Sequence, residues 1–195
     1  LVTGEGGIVA TNDDALADFV RLGREYGNHG DYDSIFPGLN ARMQEFSAVL
    51  GLKSLESLEE NILARNRLAQ AYRQGLGDVP GLTFQQIAAG DRSSHKDLTL
   101  MVDETAFGLS RDTLAQALLV EGVDTRRYFD PPLHRHTLYR PYWQAQGGEL
   151  PVTERLAAQT LNLPMYAHLP TENVERVCQA IHRIHRYRSR VSTLT

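Results

Sequence analysis

Lysine and cysteine are the scarce residues of this 195-residue chain. Only two lysines are present, Lys53 and Lys96, so chemistry that needs a lysine nucleophile must use one of them or a lysine outside the chain. The single cysteine, Cys178, excludes an intrachain disulfide and any Cys-based metal centre. Its setting, VERVCQAIHRI, has apolar neighbours at helical spacing and predicts a buried thiol. That suits a reducing compartment, and a cytoplasmic location is expected. No apolar run approaches the ~20 residues of a membrane span, and no secretory signal pattern is visible, so no membrane partner is expected. There is no excess of positive charge either. The formal net charge is -4, which argues against a nucleic-acid partner. The one basic segment, HRIHRYRSR (His182–Arg190), reads as the solvated end of a last helix, where cations suit the helix dipole. The chain opens at Leu1 without an initiator Met, which raises the expectation of an upstream segment.

What is present is an ordinary globular composition, 42% hydrophobic and 23% charged, enough for a core. EGGIVAT reads as a turn into a strand. NDDALADFVRLGREYG predicts a helix capped by Asn12 or Asp13, with Leu16, Phe19 and Val20 along one face. Residues 27–40 form a long loop of turn formers, a length that is often functional. From Ala41 to Leu76 the pattern is helical, with a break expected around Leu52–Leu58 and a stop at GDVPG. Beyond it, DLTLMVD and VDTRRYF predict strands, and SRDTLAQALLVEGV predicts a helix with Ser110 as its N-cap. DPPLHRHTLYRPYWQAQGGELP reads as a loop, VTERLAAQTLNLP as a helix followed by a strand, and TENVERVCQAIHRIHRYR as a last helix capped by Thr171. Strands separated by helices imply an α/β or α+β layer after about residue 80.

Single motifs carry little. The GEGG turn lacks the GK[ST] ending of a phosphate loop and leads toward a strand, so a tight turn is the simpler reading. His134 and His136 have the alternate spacing of a metal pair, but flanking prolines and the lack of a nearby carboxylate or thiolate favour an anion- or sugar-binding histidine or a surface one. His29 is a loop histidine. The run Ser93–Asp97 contains Ser, His and Asp, yet neighbours in one extended segment cannot form a triad. Arg126 and Arg127 would suit a phosphate or carboxylate, or form a plain surface pair.

Taken in order, the segments TGEGGIVATNDDALA, GLNARMQEFSAVLGLKSLESLE, EGVDTRRYFDPPLHRHTLYR and LPVTERLAAQTLNLPMY resemble one family over essentially the whole chain. It is the pyridoxal-phosphate-dependent sugar aminotransferases of the DegT/DnrJ/EryC1/StrS type. The resemblance implies an α/β fold class, the C-terminal part of a fold type I PLP-dependent transferase. Residues 1–54 would end the large, cofactor-binding domain, and residues 55–195 would form the small α/β domain, hinged through the long helix. The lysine that forms the Schiff base with the cofactor would lie upstream, at neither Lys53 nor Lys96. The chain alone is therefore expected to be inactive. The resemblance also implies a homodimer, in which Asn40 and Arg42 reach the partner's cofactor phosphate or substrate. His95, Lys96, Tyr128 and His134 would contact substrate. The implied partners are an amino-acid donor such as glutamate and a keto sugar, usually nucleotide-linked. A lysine-lacking sugar dehydratase of the same family and a non-catalytic dimerisation domain remain as alternatives.

Overall fold

A computed structural model describes residues 2–191. The chain divides into two compact units, Leu1–Glu60 and Asn61–Thr195, with the division in the first turn of a helix.

The first unit contains two helices and a long loop. Helix α1 (Asp14–Gly23) starts where Asp13 caps it, its carboxylate accepting the Leu16 N–H at 3.1 Å. Its apolar face is not buried: Leu16 and Phe19 stay exposed, and Phe19 stacks on Phe36 of the following loop, ring centroids 4.7 Å apart. The loop closes on itself through an antiparallel bridge between Glu25 and Asn40. At its neck, Gly27 and Gly38 face each other so closely that a Cβ on Gly38 would lie 2.1 Å from the Gly27 nitrogen. Only glycine fits there. Helix α2 (Glu45–Glu56) follows, and Ser54 ties back to the Val2 carbonyl at 3.0 Å. The expected strand after the glycine turn does not form. Residues 8–11 are irregular, and Ile8 and Val9 are 68% and 62% exposed, because no second strand in the described residues pairs with them.

Helix α3 (Leu58–Leu76) begins after a single-residue break at Ser57, inside the expected window. In the second unit a three-stranded antiparallel sheet has the order β1-β2-β3: Leu82–Phe84, Leu98–Val102 and Thr160–Leu163. The alternation of LTLMV buries Leu98, Leu100 and Val102 on one face of β2. Against these pack Leu68, Tyr72 and Leu76 of α3, Leu114 and Leu118 of α5 (Arg111–Val120), and Val174, Val177 and Ile181 of α8 (Thr171–Arg186). Short helices complete the unit: α4 (Glu104–Phe107), α6 (Arg140–Gln146), α7 (Pro151–Gln159) and α9 (Arg188–Val191).

Ser110 caps α5 as expected, accepting from the Thr113 N–H at 3.1 Å. Three expectations change. VDTRRYF forms no strand: one isolated bridge joins Arg126 to Asn162, and a turn from Arg127 to Asp130 then ends the run. The loop before α7 contains a 3-10 turn (Leu133–Arg135) and helix α6, which Pro141 starts rather than breaks because its missing N–H falls in the first helical turn. At α8 the N-cap is Pro170, and Thr171 is already helical.

Candidate functional site

Two groups of side chains carry the candidate chemistry, one in each unit. In the first unit, Asn40 and Arg42 are exposed on the strand-like segment leaving the loop. Asn40 Oδ1 accepts from Arg42 Nε at 3.4 Å, Arg42 Nη1 pairs with Glu25 at 3.2 Å, and the guanidinium lies over the Tyr26 ring, 5.5 Å from its centroid. Arg42 borders an open groove of about 1150 Å3, together with Gly6, Gly7, Arg24, Gln44 and Ser47. The groove is lined by a glycine turn, three guanidiniums (Arg21, Arg24 and Arg42), the Gln44 amide and one carboxylate, Glu5, an excess of cationic donors that suits an anion such as phosphate. Sequence reasoning named Arg42 but missed Arg21, Arg24 and Gln44, whose place on the groove depends on how α1 and the loop fold.

Lys53 is exposed on α2 and paired with Glu56 at 2.5 Å, and Lys96 is exposed ahead of β2.

In the second unit the substrate candidates fall on two loops. Residues 85–97 are held down by α3: Arg65 Nε donates to the Ser94 carbonyl at 2.7 Å, Asn66 Nδ2 to that of Ser93 at 2.9 Å, and Arg73 to that of Gln85 at 2.5 Å. His95 sits here in a left-handed conformation, φ 41°. Partial burial lowers its pKa, and the nearby charges of Arg73 and Arg65 lower it further.

The other loop carries Tyr128 and His134. Tyr128 is 43% exposed, with its ring beside that of Phe129 at 5.1 Å. His134 is largely enclosed. Its Nε2 lies 2.6 Å from Glu154 Oε1, and its ring packs on Trp143 at 5.1 Å. The same carboxylate oxygen accepts from Arg135 Nε at 2.6 Å. These bonds, His134 first and Arg135 second, hold the Glu154 carboxyl below the usual glutamate range. Sequence reasoning missed Glu154 and took no carboxylate to be near His134; twenty residues of chain hide the pair. Among the described residues, no hydrogen bond, ion pair or ring contact joins His95 or Lys96 to Tyr128 or His134. No group of three or more His, Cys, Asp or Glu side chains with metal-binding geometry occurs among the described residues. No described helix is long and apolar enough to cross a membrane.

An α/β chain with a small antiparallel sheet, a separate helical unit and phosphate-suited donors defines the C-terminal part of a fold type I PLP-dependent transferase. The chain belongs to the DegT/DnrJ/EryC1/StrS aminotransferase family, whose sequence profile matches residues 1–182. It is 34% identical over 174 residues to the erythromycin biosynthesis sensory transduction protein EryC1 of Saccharopolyspora erythraea, covering 89% of this chain and 46% of that protein. It is 32% identical over 187 residues to the GDP-perosamine synthase of Caulobacter vibrioides, covering 94% of this chain and 49% of that protein. The structure of DesI, determined in the presence of its TDP-sugar product, superposes with a TM-score of 0.83 at 32% identity, covering 94% of this chain and 46% of DesI. The chain thus spans about half the length of the relatives it matches. Pyridoxal 5'-phosphate is the cofactor of this family.

Proposed function

We propose that the protein carrying this chain transfers an amino group from an amino-acid donor such as glutamate to a nucleotide-linked keto sugar. Residues 1–54 would close the cofactor-binding domain, and residues 55–195 would form the small domain. The observation that carries the proposal is the likeness to DesI, a protein with a TDP-sugar product, along nearly the whole chain. The names of the Pseudomonas aeruginosa and Escherichia coli relatives, an oxo-glucuronate aminotransferase and a dideoxyglucose transaminase, favour amino transfer over dehydration.

When bound, pyridoxal phosphate supplies the electron sink that labilises bonds at the donor's α-carbon. The residues of this chain bind and orient. Asn40 and Arg42 would hold the cofactor phosphate, Arg42 being the residue now paired with the Glu25 carboxylate. In a homodimer they would serve the neighbouring subunit. The exposed Phe46, Val49 and Leu52 of α2 are apolar surface that an assembly of this kind would cover. Tyr128 and His134 meet the sugar or the donor carboxylate. His95, with its lowered pKa, is suited to act there as a neutral imidazole, and Lys96 brings a cation to the same loop.

The test is to supply the full-length protein with glutamate and nucleotide-linked 3-keto and 4-keto sugars, and to follow 2-oxoglutarate and the amino sugar together. Stoichiometric appearance of both is expected. Sugar loss without 2-oxoglutarate would replace amino transfer by dehydration.

A further inference from the structure

The turn that carries Tyr128 is tied at both corners to one short piece of helix. The Asp130 N–H donates to the Arg127 carbonyl at 3.0 Å and closes the turn. Arg127 Nη1 is 2.8 Å from Asp112 Oδ1, and Asp130 Oδ2 is 2.6 Å from Arg111 Nη2. Arg111 and Asp112 are the first two residues of α5. They also form an ion pair with each other, Nε to Oδ1 at 2.9 Å without a hydrogen bond, so the four charges lie in one chain: Arg127, Asp112, Arg111, Asp130.

The two ends of that chain differ in their surroundings. The Arg111 side chain is 2% exposed, whereas Asp130 is at 34% and Arg127 at 52%. Arg111 also donates through Nη1 to the carbonyls of Ala157 and Thr160, both at 3.0 Å, at the junction of α7 and β3. A buried guanidinium is costly unless its donors are used. Here Nη1 reaches the end of a helix and the start of a strand and Nη2 the corner of an exposed turn, while Nε makes no hydrogen bond among the described residues. The core-side bonds fix the guanidinium, and the fixed guanidinium fixes Asp130. Between the two corners, Tyr128 and Phe129 project with 43% and 76% of their surface exposed. Exposed aromatic side chains on a turn anchored to the core lose little entropy when they meet a ligand.

We propose that Arg111 and Asp112 are positioning residues that hold both corners of this turn and so present Tyr128 to the keto sugar, an inference that rests on the amino-transfer reading above. They touch the turn and not the substrate. Their contribution therefore passes through Tyr128 and falls on substrate binding.

The test uses the full-length protein with Asp130→Asn, Asp112→Asn and Tyr128→Phe, singly and with each aspartate variant combined with Tyr128→Phe. Arg183→Gln, which removes the ion pair to Glu121 at the other end of α5, serves as a control. Amide hydrogen exchange reads the clamp without any need for activity: both aspartate variants should speed exchange at residues 127–130 and leave β2 unchanged. Steady-state kinetics read its purpose. Each aspartate variant should raise KM for the keto sugar roughly ten-fold, the scale of one lost charge-assisted hydrogen bond, with the KM for glutamate unmoved. In the Tyr128→Phe background the further rise should fall below about two-fold. Unchanged exchange would overturn the clamp whatever the activity. Faster exchange with an unchanged KM, or an equal rise in both backgrounds, would overturn its positioning role. Absence of amino transfer by the unaltered protein would overturn the reading beneath it, and the substrate role with it.

Discussion

His134 Nε2 and Glu154 Oε1 stand 2.6 Å apart, on an oxygen that Arg135 also uses. One carboxylate from α7 thus gathers two consecutive side chains of the 3-10 turn. Removing it should release both. Because the two donors depress the Glu154 pKa, the carboxylate stays ionised below the usual glutamate range. Its contribution is present above the unfolded-state value and is lost as pH falls through the lower folded value. In a carbon-13 NMR titration, Glu154 is expected to protonate at lower pH than an unpaired glutamate. Glu154→Gln should shift the His134 ring resonances.

Tyr72 is fully buried in α3, and its hydroxyl donates to the Pro164 carbonyl at 3.1 Å, just beyond β3. Burial, reinforced by the nearby ionisable Cys178 and Tyr166, drives its pKa upward. The phenol should stay neutral in the folded protein at alkaline pH, where exposed tyrosines ionise, and ultraviolet difference titration would register this. Tyr72→Phe leaves that carbonyl without its partner at a cost of about 1–2 kcal/mol. Urea denaturation followed by circular dichroism would measure it.

A Cβ on Gly75 would come within 2.7 Å of Cys178 Sγ, so α3 and α8 approach closely at this point. Burial pushes the Cys178 thiol up to about 11, well away from the thiolate form at neutral pH. Two outcomes are expected. Cys178 should react with a thiol reagent at pH 8 only as fast as the protein opens. Gly75→Ala should destabilise by about 1–3 kcal/mol, through overpacking that Cys178→Ala relieves in the double variant. Thermal unfolding of the three variants checks the second.

Asn40 and Arg42 lie on one short segment, where Arg42 Nε donates to Asn40 Oδ1 at 3.4 Å. In the full-length protein, Asn40→Ala and Arg42→Ala are expected to weaken cofactor retention by roughly ten-fold each. Arg42→Lys should recover only part, since an ammonium cannot reproduce the planar fork. Dialysis followed by cofactor absorbance gives the measurement. Unchanged retention in all three variants would remove the phosphate role.

Helices were the more legible part of the sequence. The 3.6-residue pattern placed α1, α2, α3, α5, α7 and α8, and even the break near Ser57, because helical hydrogen bonds are local. Strands were less so, since a strand exists only beside a partner. Ile8–Thr11 and Val123–Phe129 have strand-like composition and no ladder, while the three-residue β1 gave no pattern to read. The proline-rich run around Pro141 read as a loop for a different reason: proline is tolerated in the first turn of a helix, where Pro141 stands. In the candidate site, residue types were visible but their partners were not. Arg111 reads as an ordinary surface arginine at the head of a helix, and only folding brings Asp130, Ala157 and Thr160 around it.

The sheet order has a consequence for how such a chain can change over evolutionary time. Strands β2 and β3 are neighbours in the ladder, yet everything from α4 to α7, including the Tyr128 turn and His134, is strung between them. Both ends of that excursion are pinned by the same pair of strands. Residues can be inserted or exchanged within it at little entropic cost while the sheet keeps its register. The scaffold and the surface it displays are therefore separable: one can be kept to the residue while the other is rewritten for a different ligand.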